Sequence, residues 1–181
     1  MNVLISGGCK NGKTGFAQDI AVRLSGNGKR YYVATMIPCD DEDRARILRH
    51  IEGRSDMGFE TLECSRDIAA CMNGAKSDAT FLIDSVTALL VNEMYPDPHM
   101  EQADQSAAFR CQSGLLRVAR EAKNAVFVSD YIYSDAIRYD SFTETYRTCL
   151  ALLDRTLAEV CDTVIELCAG NAVCHKGGLD L

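Results

Sequence analysis

The chain has no tryptophan, only three prolines, and no pair of cysteines spaced as C-x-x-C. The missing C-x-x-C pair removes the usual scaffold of a structural zinc site. With so little proline and no Gly/Ser tract, nothing marks a linker, so residues 1–181 are expected to form a single domain. No apolar run approaches the about 20 residues that a membrane-spanning helix needs. The opening MNVLISGG has neither a basic leader nor a cleavage region, and the expected location is cytoplasmic. Positive charge is also scarce: 19 Lys and Arg face 26 Asp and Glu, a formal net charge of -7. That balance excludes a protein that coats nucleic acid or anionic lipid through bulk charge. It leaves room for a small basic site that holds a phosphorylated ligand.

What is present is enough apolar material for a core, at 47% of residues. The nine cysteines are odd in number and irregular in spacing. Cys149, Cys161 and Cys168 stand inside apolar runs, where a free thiol behaves as a small hydrophobe. Residues 2–6, 30–35, 80–84, 125–129 and 163–168 read as buried strands, with 172–176 as a short edge strand. Residues 13–25, 41–52, 65–73, 85–94, 104–123 and 142–160 carry helical periodicity. This alternation predicts an α/β fold with a mostly parallel central sheet and helices on both faces. In such sheets the loops leaving the carboxyl ends of strands form the ligand crevice. The least regular pieces, 56–59, 95–102 and 131–141, are therefore where a substrate is expected.

Directly after the first strand comes Gly7-Gly8-Cys9-Lys10-Asn11-Gly12-Lys13-Thr14, which satisfies G-x-x-x-x-G-K-[ST] between a strand and a helix start. Glycines let successive backbone N–H groups curl around a phosphate, and the helix start aims its positive end at the same anion. Lys13 offers a point charge to the β- and γ-phosphates, and the Thr14 hydroxyl is placed to ligate Mg2+. Chance alone would produce the four fixed positions in roughly one chain in a hundred or fewer. The pattern makes the chain a nucleotide-binding, P-loop NTPase-like protein, with GTP or ATP as the ligand. The usual partner of such a loop is an acid at the end of another core strand, and Asp84 closes the apolar run 80–84. Asp84 reads either as a second magnesium ligand or as the N-cap of the following helix, and the two roles are compatible.

In residues 41–54, Asp43, Arg46 and His50 recur at spacings of three and four and share a helical face, which Arg54 extends if the last turn persists. Two arginines one turn either side of an imidazole would grip a phosphate chain, with His50 as base or nucleophile. The same residues also describe a solvated, charged helix face. Residue chemistry alone favours the solvated face, since surface helices commonly look like this.

The phosphate loop GGCKNGKT, the later RARILRHIEGR and the stretch FLIDSVTALLVNE together resemble the adenosylcobinamide kinase / adenosylcobinamide-phosphate guanylyltransferase family. Arg46, Ile47, His50 and Arg54 match its R-I-x-x-H-x-x-x-R pattern, and Asp84, Ser85, Thr87 and Asn92 match its acid-[SC]-x-T-x-x-x-x-N pattern. The resemblance implies that NTP phosphorylates adenosylcobinamide, and that His50 then carries GMP from GTP to adenosylcobinamide phosphate. It implies nucleotide and corrinoid small molecules as partners, no nucleic acid, and a homo-oligomer of trimer type. Beyond Asn92 the chain departs. The family's Asn-Glu pair after the fourth core strand is replaced within Ser129-Asp130-Tyr131-Ile132-Tyr133-Ser134-Asp135. In its later R-D-x-x-G-x-x-N-Q-x-L-A pattern, the glycine, Asn and Gln become Ala151, Asp154 and Arg155. An alternative is therefore a P-loop kinase for another small metabolite, without guanylyltransferase activity. A second is a nucleotide-binding regulatory protein.

Three smaller features read as structural. Cys174-His175-Lys176 reads as a strand end, His99 as a solvated loop residue, and Tyr131, Tyr133 and Tyr139 as loop packing rather than flanks for a flat ligand.

Overall fold

Among the described residues seven strands form one sheet in the order β3-β2-β4-β5-β1-β6-β7. In chain order these are β1 (Asn2–Gly7), β2 (Arg30–Ala34), β3 (Glu60–Glu63), β4 (Thr80–Asp84), β5 (Asn124–Asp130), β6 (Thr163–Cys168) and β7 (Asn171–Lys176). All neighbours pair in parallel except β6 and β7, which form an antiparallel hairpin at one edge. The helices are α1 (Lys13–Ser25), α2 (Asp41–Glu52), α3 (Val86–Met94), α4 (Ala107–Glu121) and α5 (Ser141–Val160). The computed structural model describes residues 1–76, 78–97, 103–104 and 106–178, without the Arg46 side chain; that side chain and His99 lie outside the described residues.

Strand alternation sends side chains to two cores. Leu4, Val33, Phe81, Ile83 and Phe127 pack under α3, α4 and α5, together with Leu89, Leu115, Leu150 and Leu153. Val3, Ile5, Leu82, Val126 and Ile165 face the opposite side, against Ala17, Ile20 and Ala21 of α1. The central strands are covered on both faces, so they read as continuous apolar runs. No helix among the described residues is long and apolar enough to cross a membrane.

Three local departures from the sequence reading have physical causes. Strand β3 lies at the sheet edge with a polar, largely exposed pattern, so no apolar run announces it. The helix expected over 65–73 is a short 3-10 segment, Ile68–Met72, because the buried Glu93 carboxylate accepts the Asp67 N–H at 2.6 Å and anchors the chain there. Helix α4 begins at Ala107, after Asp104 has drawn the Ser106 N–H and hydroxyl into a turn at 2.9 and 2.6 Å.

Candidate active site

The phosphate loop is built where β1 emerges between β5 and β6. Gly7 is in register with Asp130 on one side and Leu167 on the other. A Cβ at Gly7 would meet the Leu167 carbonyl oxygen at 2.6 Å, so the close passage of β6 requires glycine there. The Asn11 side-chain amide donates to that same carbonyl and ties the loop to β6. Gly12 begins α1 with φ 82°, and Lys10 also has positive φ, 57°. Such turns create the concave run of N–H groups that cradles anions. Helices α2, α3 and α5 each use a side chain as N-cap, respectively Asp40, Ser85 and Asp140. Helix α1 uses none and has no acid in its first turn. Its first amides and positive dipole end are left for an external anion.

Lys13 is buried, and its ammonium donates to the Gly8 carbonyl at 2.6 Å and pairs with Asp130 Oδ1 at 2.6 Å. At the end of β4, Asp84 Oδ2 accepts the Thr14 hydroxyl at 2.9 Å and the Tyr32 hydroxyl at 2.6 Å. Capping of α3 belongs to Ser85, whose Oγ accepts the Ala88 N–H at 3.2 Å, so Asp84 faces the phosphate loop instead. The rest of that motif is structural support. The Thr87 hydroxyl accepts the Asp130 N–H at 2.8 Å, and the Asn92 amide donates to the Thr35 and Ser65 carbonyls at 2.7 and 3.0 Å.

Helix α2 stands over this floor. Asp40 caps it by accepting the Asp43 N–H at 2.8 Å, and three acids in its first turn with Arg49 and His50 in its last suit its dipole. Asp43, Arg49 and half-buried His50 border a cleft of about 520 Å³ together with the phosphate loop, Asp84 and Asp130. Arg54 leaves that face because the helix ends at Glu52 and Gly53. It is buried at 6% exposure, its guanidinium 3.9 Å from the Tyr32 ring centre and bonded to Thr61 Oγ1 at 3.0 Å. Arg49, not Arg54, is the described arginine beside His50 in the phosphate cleft.

A second cavity of about 510 Å³ adjoins the first. It is lined by Met36, Pro38, Ile47, Leu48, Ala88 and Val91, with Arg44, Arg54 and Glu63 at its polar margins. Thr14, His50, Asp84, Ser85 and Asp130 border both cavities. The walls thus come from the β2–α2 connection, α2 and α3; among the described residues, none of the irregular segments 56–59, 95–97 and 131–141 lines either cavity, and residues 98–102 lie outside the described residues. Segment 131–141 is occupied with its own packing. The Tyr131, Tyr133 and Tyr139 hydroxyls donate to Glu166, Asp154 and Asp135 at 2.9, 2.8 and 2.8 Å. Arg147 holds the segment through the Ile132 and Ile137 carbonyls and Asp135. His175 pairs with Glu166 at 2.8 Å at the β6–β7 edge.

Thr14 Oγ1 and Asp84 Oδ2 offer hard oxygen donors beside the phosphate loop. Among the described residues no three His, Cys, Asp or Glu side chains form a cage. That donor set fits Mg2+, which binds through one or two protein oxygens, substrate phosphates and water. Sequence reasoning passed over Tyr32 and Asp130 as site residues. Asp130 carried the same signal as Asp84, an acid closing an apolar strand. Tyr32 carried none, since its hydroxyl is directed by sheet register alone.

A β1–phosphate loop–α1 unit with an acid at the end of a neighbouring parallel strand defines a P-loop NTPase fold. Solved structures agree at the level of fold. The flagellar accessory protein FlaH from Methanocaldococcus jannaschii superposes with a TM-score of 0.50 at 13% identity, covering 98% of this chain and 79% of that one. The KaiC-like protein PH0186 from Pyrococcus horikoshii OT3 gives 0.50 at 12%, again over 98% and 79%. Within that class, the family model described as cobinamide kinase / cobinamide phosphate guanyltransferase matches residues 3–174, and the chain belongs to this family. The bifunctional adenosylcobalamin biosynthesis protein CobU of Salmonella typhimurium is 25% identical over 185 residues, covering 96% of this chain and 98% of its own length.

Proposed function

We propose that this chain carries out both reactions for which its family is described. In the first, a nucleoside triphosphate gives its γ-phosphoryl group to a hydroxyl of adenosylcobinamide. In the second, GMP passes from GTP to adenosylcobinamide phosphate through His50. One observation carries the reading: His50 borders both the phosphate cleft and the adjoining cavity, next to Thr14, Asp84 and Asp130. A nucleotide and an acceptor in neighbouring cavities would meet at that histidine.

The phosphate-loop amides and the α1 N-terminus bind the triphosphate, which draws Lys13 from Asp130 and the Gly8 carbonyl onto phosphate oxygens. Mg2+, when held by Thr14 and Asp84, supplies positive charge to the β- and γ-phosphates. For the second reaction, a neutral imidazole nitrogen of His50 attacks the α-phosphorus. The N–P bond forms as the bond to pyrophosphate breaks. A phosphate oxygen of the acceptor then attacks the same phosphorus, the N–P bond breaks, and His50 is regenerated. Such a relay replaces one difficult displacement with two easier ones.

The test is to incubate the protein with Mg2+ and GTP labelled at the α-phosphate, without acceptor, and denature it. Acid-labile label on the wild type and none on His50→Ala is the expected result. Unlabelled wild type would overturn the guanylyl-histidine step and leave a kinase. Transfer of γ-label to adenosylcobinamide tests that kinase directly.

A further inference from the structure

Among the described residues, two carboxylates border both cavities, Asp84 and Asp130, and they are not equivalent. Asp84 Oδ2 already accepts two hydroxyls, from Thr14 and Tyr32, and Thr14 is the residue proposed with it to hold Mg2+. Among the described residues Asp130 accepts no hydroxyl in the same way. Its partner is a cation that belongs to the phosphates, the Lys13 ammonium at 2.6 Å. Its backbone N–H is anchored by the Thr87 hydroxyl at 2.8 Å, so the carboxylate springs from a fixed point at the carboxyl end of β5. Glu63 borders only the second cavity, and Glu42 and Asp43 only the first.

We infer that the cavity lined by Met36, Pro38, Ile47 and Val91 receives the hydroxyl-bearing acceptor of the phosphoryl transfer, and that Asp130 is the carboxylate that takes the hydroxyl proton. The inference rests on the phosphate cleft being the triphosphate site. The apolar lining suits an alcohol carried on a short aliphatic arm, whose hydroxyl end reaches the polar junction between the cavities. Before nucleotide binds, Lys13 neutralises Asp130. A triphosphate attracts Lys13 to its own oxygens and uncovers the carboxylate on the side where the acceptor enters. The acceptor oxygen then attacks the γ-phosphorus. The new O–P bond forms, the bond to the β-phosphate oxygen breaks, the nucleoside diphosphate leaves, and the proton goes to Asp130. Placing such a base in line contributes about 10²–10⁴-fold to a proton-transfer-assisted step.

The test measures two quantities on the full-length protein: the affinity for Mg-ATP and Mg-GTP by equilibrium dialysis, and single-turnover transfer of γ-label to adenosylcobinamide. Asp130→Asn is expected to bind triphosphate as tightly as the wild type or tighter, because Lys13 loses a competing anion. Its transfer is expected to slow by about 10²–10⁴-fold, with partial recovery in Asp130→Glu. Val91→Arg is expected to raise the acceptor KM by about tenfold or more with triphosphate affinity retained. Wild-type transfer by Asp130→Asn overturns the proton-acceptor role. Loss of both binding and transfer also overturns it, reducing Asp130 to a support for Lys13. An unchanged acceptor KM in Val91→Arg overturns the cavity assignment. A wild type that binds no triphosphate, or binds it and transfers nothing to adenosylcobinamide, overturns the proposed function and this inference with it.

Discussion

The Arg54 guanidinium lies 3.9 Å from the centre of the Tyr32 ring, and the hydroxyl of that ring donates to Asp84 at 2.6 Å. A buried cation thus orients an acid of the site through an aromatic side chain of the central sheet. Tyr32→Phe keeps the stack and removes only the hydroxyl. The expected result is unchanged stability within about 1 kcal/mol and a several-fold higher Mg2+ concentration for half-maximal phosphoryl transfer, because Asp84 loses one of its two orienting donors. Arg54→Lys keeps the charge but loses the planar stack and the geometry of the bond to Thr61. It is expected to cost about 1–2 kcal/mol in urea denaturation. A Tyr32→Phe protein with wild-type Mg2+ dependence would show that Thr14 alone orients Asp84.

Asp154 predicts a pH effect. Burial pushes its carboxyl from the ordinary 3.8 up to about 6, and the negative charge of nearby Asp130 adds to the rise. The Ser129 and Tyr133 hydroxyls pull the other way. The folded state therefore holds this proton more tightly than the unfolded state does. Stability from this group is fully present below about pH 4 and is lost as pH rises through about 6, by about 3 kcal/mol at neutral pH. Asp154→Asn, which restores the Asn of the family pattern, removes the penalty while keeping an acceptor for Tyr133. The variant is expected to be more stable than the wild type at pH 7 and nearly equal to it at pH 4, by urea denaturation at both values. A stability difference independent of pH would refute the assignment.

Much of this site was legible in the residues, for identifiable reasons. The phosphate loop is local: its pattern consists of closely spaced glycines, Lys13 and Thr14, and the strand and helix flanking it are strongly patterned. Asp84 was legible because it closes an apolar run. What was not legible depends on register and on termination. That Tyr32 faces Asp84 follows from the β2–β4 pairing, in which Tyr32 opposes Leu82 and Ala34 opposes Asp84. That Arg54 swings away from His50 follows from where α2 ends, and its periodicity does not mark that end. The edge strand β3 was missed because edge strands need no apolar face.

Gly114, in the middle of α4, sets two effects against each other. Alanine is favoured over glycine in a helix by about 1 kcal/mol. At this position a Cβ would stand 2.6 Å from Ile68 Cγ2 and 3.4 Å from the Ala69 nitrogen. Ile68 is buried and β-branched, so its methyl has nowhere to rotate. Overpacking of this kind costs about 1–3 kcal/mol, and Gly114→Ala is expected to be destabilising on balance. In the Ile68→Ala background the same substitution is expected to become stabilising. A double-mutant cycle in urea without coupling would show that α4 shifts to accommodate the methyl.

Helix α2 carries His50 yet packs weakly. Leu48 and Ile51 are 58% and 44% exposed, and none of the described α2 residues is fully buried. Helix α4, by contrast, buries Ala107, Ala108, Cys111, Leu115 and Val118. Local opening follows buried apolar contact, so α2 amides are expected to exchange with solvent hydrogen far sooner than those of α4. Substitution should separate the two helices in the same sense. Leu48→Gln is expected to change stability by no more than about 0.5 kcal/mol, and Leu115→Ala to cost about 2–5 kcal/mol. If Leu48→Gln destabilised the protein as much as Leu115→Ala, α2 would have to pack on the sheet in solution.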